Sequence, residues 1–232
     1  VCEACEYVDT FLQLTPAISI ILNIDADHLD YFKNLDNIKK SFRKFAGQTS
    51  RLLVLNGDDQ NTLDAVDGVS LDKLLYGFGE HNDYRAANLT VSHGAVQHFD
   101  VIYQGETLTQ VTLNVPGKHN VLNALAAFAV AHHLGDSPAL IAENLEKFTG
   151  VHRRFEILGK PCGITVADDF AHHPTELTAT LTAAMEMGFK RVWAVFQPHT
   201  YSRTAMLLDD FAKALSIPDK VVMSEILAVR EE

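Results

Sequence analysis

Short apolar runs rich in β-branched residues recur along this chain, and segments of helical periodicity separate them; this alternation constrains the fold more than any other feature. Residues 18–24 (ISIILNI) read as a buried strand. Residues 36–45 place Ile38, Phe42 and Phe45 on one helical face. Residues 51–55 (RLLVL) read as a second buried strand closed by Asn56-Gly57-Asp58, and residues 74–78 as a third. Strands alternating with helices over short connections imply right-handed βαβ units and a largely parallel sheet. From Tyr84 to Val115 the rhythm changes. Alternating segments at 89–91, 96–103 and 108–115 are separated by His93-Gly94 and Gln104-Gly105, which predicts antiparallel hairpins inserted after the α/β units.

The stretch 119–134 follows Pro116-Gly117 and is apolar almost all round, so it is expected to be a buried helix. Asp136-Ser137-Pro138 opens another helix, with proline near its first turn. Residues 148–153 read as a junction between two domains, 1–150 and 151–232. Beyond it the α/β rhythm restarts with a strand at 164–167. A helix at 174–188 carries Leu177, Leu181, Ala184 and Met185 on one face, with Gly188 as its C′ residue. A buried strand is expected at 192–196, one helix at 203–215 with Leu207, Phe211, Ala214 and Leu215 inward, and a further strand from Val221. The expected class is therefore α/β.

Composition narrows the function. With 47% apolar and 21% charged residues, the 232-residue chain can bury a real core. A net charge of −11 argues against broad binding to nucleic acid or to an anionic membrane, while leaving room for a local phosphate pocket. No apolar run reaches 18 residues, so no membrane-spanning helix is expected. Three cysteines, an odd number, fit a reduced cytosolic setting, and the lone Cys2-x-x-Cys5 lacks the second ligand pair of a zinc site. Val1 opens what reads as a buried element, with no initiator methionine, signal sequence or linker, so a piece of a longer protein is expected.

Five polar clusters fall at strand ends or helix starts, where ligands bind in parallel α/β sheets. Asn23-Ile24-Asp25-Ala26-Asp27-His28 could contact a divalent metal or be a solvated loop with a capping aspartate. Pro116-Gly117-Lys118-His119-Asn120-x-x-Asn123 opens a helix whose free N–H groups favour anions; the alternative is N-capping by Asn120 plus one satisfied amide. His152-Arg153-Arg154-Phe155 offers a phosphate clamp or interdomain ion pairs. Asp168-Asp169-Phe170-Ala171-His172-His173-Pro174-Thr175-Glu176 packs acids and imidazoles densely enough for a metal pair or a substrate pocket, with helix capping as the plainer reading. In Gln197-Pro198-His199-Thr200-Tyr201-Ser202-Arg203, Arg203 could bind a carboxylate or lie free on a loop.

Taken together, in this order and at this spacing, these stretches resemble the Mur ligases, with Glu3-Ala4-Cys5-Glu6 as a further match. The D-D-x-x-H-H-P-T-E and F-Q-P-H-x-x-x-R-T pair resembles the alanine-adding member most. The resemblance implies the later part of a central ATP-binding domain, mostly parallel with an antiparallel insertion, followed by an incomplete, Rossmann-like C-terminal domain. It implies ATP and Mg²⁺ as cofactors, and UDP-N-acetylmuramate and L-alanine as substrates joined through an acyl phosphate. Glu3 and His28 would be metal ligands. His119, Asn120 and Asn123 would lie near the adenine or ribose. Arg154 and Asp169 would contact nucleotide, and His172 and Arg203 would hold the amino acid or new amide. His28, Arg154 and Asp169 are the expected catalytic set. The family's G-x-x-G-K-T loop is absent from the chain, so the phosphate cradle, its lysine and the N-terminal domain required for activity are expected upstream. Some relatives carry an extra arginine where this chain has Thr200, which shifts amino-acid binding onto Arg203. The rival expectations are a ligase joining a preformed peptide to the same sugar nucleotide, a non-catalytic nucleotide-binding module, and a metal hydrolase built on Asp168, Asp169, His172 and His173.

Overall fold

A computed structural model of the chain describes residues 1–92 and 96–228. Residues 1–6 carry no regular structure, and Val1, Cys2 and Glu3 are exposed, so the chain does not open inside a buried element. A 3₁₀ segment, Tyr7–Gln13, follows. The strands and helices then run β1 (Ile18–Ile21), α1 (Leu29–Phe32), α2 (Leu35–Gln48), β2 (Leu52–Asn56), α3 (Gln60–Val66), β3 (Asp72–Gly77), β4 (Tyr84–Val91), β5 (Gln97–Tyr103), β6 (Glu106–Leu113), α4 (Lys118–His133) and α5 (Pro138–Glu146). The remainder is β7 (Glu156–Gly159), β8 (Val166–Asp168), α6 (Pro174–Glu186), β9 (Trp193–Phe196), α7 (Tyr201–Met206), α8 (Leu208–Ala214) and β10 (Lys220–Met223).

The first six strands form one sheet in sequence order. β1, β2 and β3 are parallel, with Ile18 opposite Leu52 and Leu52 opposite Asp72, as the βαβ reading requires. β3 meets β4 in parallel over two residue pairs only. β5 and β6 are joined by Gln104 (φ 51°) and Gly105 (φ 84°). Positive φ at both central residues is a type I′ turn, whose twist fits an antiparallel hairpin. The expected turn at His93-Gly94 lies outside the described residues. β2 is buried at every position, which is why it reads as an unbroken apolar run.

Two compact units emerge. The first comprises Val1–Thr90, His98–Thr112 and Val121–Leu145; the second comprises the described residues of Val91–Gln97, Leu113–Asn120 and Glu146–Glu232. In the first, Ile21, Ile24, Phe32, Ile38, Leu53 and Leu55 are among the residues of a core between the sheet and α1–α3. Phe11 stacks on Phe45 at 4.7 Å between ring centroids and meets Phe42 edge-on, which ties the 3₁₀ segment to α2. In the second, Leu177 and Leu181 of α6 pack on Phe196 of β9 and on Phe211 and Ala214 of α8.

The second unit departs from the sequence reading in four places. An unexpected strand, β7, pairs antiparallel with β8, which runs from Val166 to Asp168 rather than over 164–167. β9 is half-covered rather than buried: Phe196 faces the core at 6% exposure while Trp193 and Val195 stand at 57% and 80%. The two-stranded β9–β10 sheet has helices against one face, and the period of two sends alternate side chains to the other. The single helix expected at 203–215 is interrupted at Leu207 (φ −112°, ψ 23°). The apolar stripe still survives: Leu207 N donates to Arg203 O at 3.0 Å and Leu207 O accepts from Phe211 N at 2.9 Å, so helical spacing continues through the break. Met185 faces outward at 39% exposure, whereas Leu177, Leu181 and Ala184 face in. Gly188 takes the expected left-handed conformation (φ 72°) past the end of α6.

Candidate functional site

In the first unit the polar loop 23–28 leaves the end of β1 and enters α1. Asp25 and Asp27 fold it by capping the N–H groups of Ala26 and His28, each at 2.7 Å. His28 sits in the left-handed region (φ 53°). Its Nε2 lies 3.3 Å from Glu6 Oε1 and 3.7 Å from Asp27 Oδ2, and its ring packs 4.6 Å from that of Tyr7. The hydrogen bond from His28 holds the Glu6 carboxyl below its ordinary range, against the opposing effect of burial. The 3₁₀ segment carries Glu6 to this place. Tyr31 Oη donates to Asp9 at 2.9 Å, Ser41 also bonds Asp9, and Gln48 donates to Leu12 O at 3.0 Å. The carboxylate brought to His28 is therefore Glu6, while Glu3 is exposed three residues upstream. Sequence reasoning did not single out Glu6, although it lies in the quoted Glu3-Ala4-Cys5-Glu6 stretch.

Magnesium is bound by one or two carboxylates completed by water and substrate phosphates rather than by an all-protein cage. One carboxylate and one imidazole facing each other at 3.3 Å fit part of such a shell. Among the described residues, no group of three or more His, Cys, Asp or Glu side chains is arranged to hold a metal alone.

In the second unit the turn before α4 is fixed from below. Buried Gln97, at 2% exposure, donates from Nε2 to Val115 O (2.8 Å) and Gly117 O (3.0 Å). Gly117 has φ 93°, and a Cβ there would come within 2.5 Å of His119 Cε1, so only glycine lets this ring lie against the turn. Asn120 donates to Pro116 O at 2.7 Å, and Asn123 is exposed one turn on. Because α4 begins at Lys118, Asn120 sits in its first turn, and the alternative reading of Asn120 as the N-cap does not hold. His119 keeps an exposed edge, but the protein packed against the rest of its ring lowers its pKa. Asp169 works against this shift and Arg154 with it. Three expected nucleotide contacts, His119, Arg154 and Asp169, are thereby within electrostatic reach of one another.

Asp169 is an organiser of backbone. It accepts from Phe155 N (2.8 Å), Ala171 N (2.7 Å) and Thr180 Oγ1 (3.2 Å). These bonds stitch the Arg153–Phe155 turn, with positive φ at both ends (57° and 47°), to the end of β8. Arg153 pairs with Asp168 at 3.2 Å and lies 4.6 Å over the Phe170 ring. Arg154 reaches Glu176 at 3.5 Å, and Glu176 also accepts from His172 N (2.9 Å) and His173 N (3.2 Å). His173 and Glu176 form the capping box of α6. The imagined metal pair is dispersed by these duties: Asp168 goes to Arg153, Asp169 to N–H groups, and His173 to the helix cap.

The His172 ring packs 5.9 Å from that of His199. Thr200 follows in a conformation rare for a β-branched residue (φ 68°, ψ 141°). It caps α7 by accepting from Arg203 N at 3.4 Å, so half-buried Arg203 projects from the first turn. A groove of about 510 Å³ lies nearby, lined by Lys118, His119, Thr178, Thr182 and Lys213 among others.

The family model described as the Mur ligase middle domain matches residues 1–131, and that of the Mur ligase, glutamate ligase domain matches residues 153–231. The UDP-N-acetylmuramate–L-alanine ligase of Caldanaerobacter subterraneus subsp. tengcongensis is 47% identical over the whole chain, and that of Alkaliphilus metalliredigens 45% over 99% of it. The chain spans about half the length of these curated relatives, 51% and 50%. Among solved structures, the UDP-N-acetylmuramate-alanine ligase MurC of Thermotoga maritima superposes with a TM-score of 0.77 at 34% identity, over 94% of this chain and 48% of that one. A MurF from Acinetobacter baumannii shares the fold, with a TM-score of 0.80 at 22% identity over 93% of this chain and 48% of its own. With both of its halves matched in sequence and its α/β architecture matched in space, the chain belongs to the Mur ligase family.

Proposed function

We propose that the full-length protein carrying this sequence joins L-alanine to UDP-N-acetylmuramate in an ATP-dependent reaction of peptidoglycan precursor synthesis. The observation that carries the reading is 44–47% identity, over 99–100% of the chain, to curated relatives bearing that name. On this reading residues 1–150 are the later part of the ATP-binding domain and 151–232 an incomplete C-terminal domain. The setting is cytoplasmic, which agrees with three cysteines that are all free and exposed. Nucleic acid and membrane are not partners. The 232 residues contain no G-x-x-x-x-G-K-[ST] loop, so the chain by itself is expected to be inactive.

A carboxylate is a poor electrophile at neutral pH. Transfer of a phosphoryl group to it creates an acyl phosphate; attack by the alanine amine then forms the amide and releases phosphate. When bound, ATP supplies that phosphoryl group and magnesium offsets the charge on its phosphates. Glu6 and His28, with Glu3 nearby in sequence, are the residues of this chain suited to the metal side. Arg154, paired with Glu176, would offer its guanidinium to the phosphates. His119, whose pKa is lowered by the protein packed around it, would with Asn120 and Asn123 take the base and ribose. His172 and Arg203 hold the amino acid, the guanidinium pairing with its carboxylate. Catalysis is then mainly alignment and charge neutralisation.

The test is ADP release by the full-length protein with UDP-N-acetylmuramate, comparing L-alanine with a tripeptide. Strict dependence on alanine supports the reading. Turnover with the tripeptide alone would move the assignment to a peptide-joining relative, and turnover indifferent to either amine would remove ligation altogether. R203A is expected to raise the KM for alanine by about 10–100-fold, the loss of one charged hydrogen-bonding group, with little effect on the KM for ATP.

A further inference from the structure

We infer that Asp59 and Asn61 are positioning residues that bolt down the loop carrying His28; the inference rests on the metal role proposed for that loop. Asp59 caps α3, accepting at Oδ2 from Thr62 N (3.0 Å) and Thr62 Oγ1 (2.6 Å). An ordinary helix cap would end there. The same oxygen also accepts from Ile24 N at 2.9 Å, a residue 35 positions upstream. Two residues further along, Asn61 Nδ2 donates to Ile24 O at 2.9 Å. Both backbone polar groups of Ile24 are therefore held by side chains of the α3 first turn.

Ile24 needs these partners. β1 ends at Ile21, so no strand neighbour bonds the Ile24 peptide, yet the residue is only 2% exposed and a buried peptide group must be paired. Its side chain packs in the core with Ile21, Phe32 and Leu55. The backbone bonds from residues 25–28 onward are short-range: Ala26 N to Asp25, Asp27 N to Asp25 O, and His28 N to Asp27. They shape the turn itself, and its far end meets Glu6 and Tyr7 through His28. The triple anchorage at Ile24, four residues before His28, fixes the origin of the turn, so side chains of the first turn of α3 help set where the imidazole stands.

The geometry separates a bolt from a charge. All three bonds to the Asp59 side chain arrive at one oxygen, so an asparagine carbonyl in the same place can accept them all. D59N is therefore expected to behave like the parent, and D59A is not. The experiment uses the full-length protein and two readouts: hydrogen exchange of peptides covering residues 22–28, and the Mg²⁺ dependence of turnover with ATP, UDP-N-acetylmuramate and alanine saturating. D59A should speed exchange in 22–28 by about tenfold or more, the loss of one buried hydrogen bond. It should raise the half-saturating Mg²⁺ several-fold while leaving the KM for alanine unchanged. N61A spares the cap of α3 and should move both readouts in the same direction by less, so the inference stays testable if D59A folds poorly. Damage from D59N equal to that from D59A would overturn the inference in favour of a charge role. Faster exchange confined to α3, with 22–28 and the Mg²⁺ dependence untouched, would reduce Asp59 to a helix cap. If the parent protein shows no ligation, the proposed function fails, while the exchange comparison still decides the bolt.

Discussion

Replacing Gln97 by leucine isolates what the buried strand start does for the turn at Pro116-Gly117. The two side chains are similar in size, but leucine has no N–H for Val115 O or Gly117 O, now served at 2.8 and 3.0 Å. The two carbonyls are not equally exposed to the loss. Gly117 O still accepts from Asn120 N at 3.0 Å, so its share is about 0.5–1 kcal/mol, the net value of a hydrogen bond. Among the described residues Val115 O has no second bond outside the helix and strand ladders, and a buried acceptor without a partner costs about 1–3 kcal/mol. Burying the extra apolar surface of leucine returns about 1 kcal/mol. The net is a local destabilisation of about 2 kcal/mol, equivalent to roughly 30-fold in an opening equilibrium. Hydrogen exchange over residues 118–124 of the full-length protein measures it directly and avoids an ill-defined melting point in a multidomain chain. The KM for ATP should rise in parallel, because His119 and Asn120 are set by this turn. Unchanged exchange and unchanged KM would refute the reasoning, and would mean that the Asn120 bond to Pro116 O holds the turn unaided.

Other outcomes follow from the same geometry. By NMR the His119 imidazole should titrate below 6.5, with R154Q moving the midpoint up and D169N moving it down; a midpoint at or above 6.5 contradicts the packing described. Its folded-state pKa is depressed, so its contribution to stability is complete above the unfolded value near 6.5 and is lost as the pH falls through the folded value. Glu6, also depressed, adds stability that is present above about 4.5 and lost as the pH falls through its folded pKa. E6Q should remove this acid-side dependence in a pH series of exchange rates over residues 6–13. E176Q should raise the KM for ATP by a few-fold through its bond to Arg154, with the KM for alanine affected less; the reverse ranking would detach Glu176 from the nucleotide side.

Much of the fold was legible because buried parallel strands and amphipathic helices write themselves as apolar runs and stripes. β2, α2 and α4 are of this kind. The 3₁₀ segment Tyr7–Gln13 was not legible, because Val8 and Asp9 take positive φ that no propensity predicts; Phe11 stacking on Phe45 accompanies that conformation. The break at Leu207 hides inside an unbroken apolar stripe. Its sequence signal is the Asp209-Asp210 pair, which suits the first turn of a new helix. At the site, the polar clusters could be located from strand ends, but their internal wiring could not. Whether Asp169 faces a ligand or three donors of its own backbone and side chains depends on the strained Arg153–Phe155 turn. That Glu6 rather than Glu3 meets His28 depends on the anchoring of residues 7–13.

The outward row of β9 has a practical consequence. Trp193 is the chain's single tryptophan, and its indole stands largely in water. An indole in water emits to the red, and one shielded by apolar contact emits to the blue. Anything that comes to rest on that row will change the colour of its fluorescence, so this stretch of chain carries its own optical gauge of when the open side of the strand becomes covered.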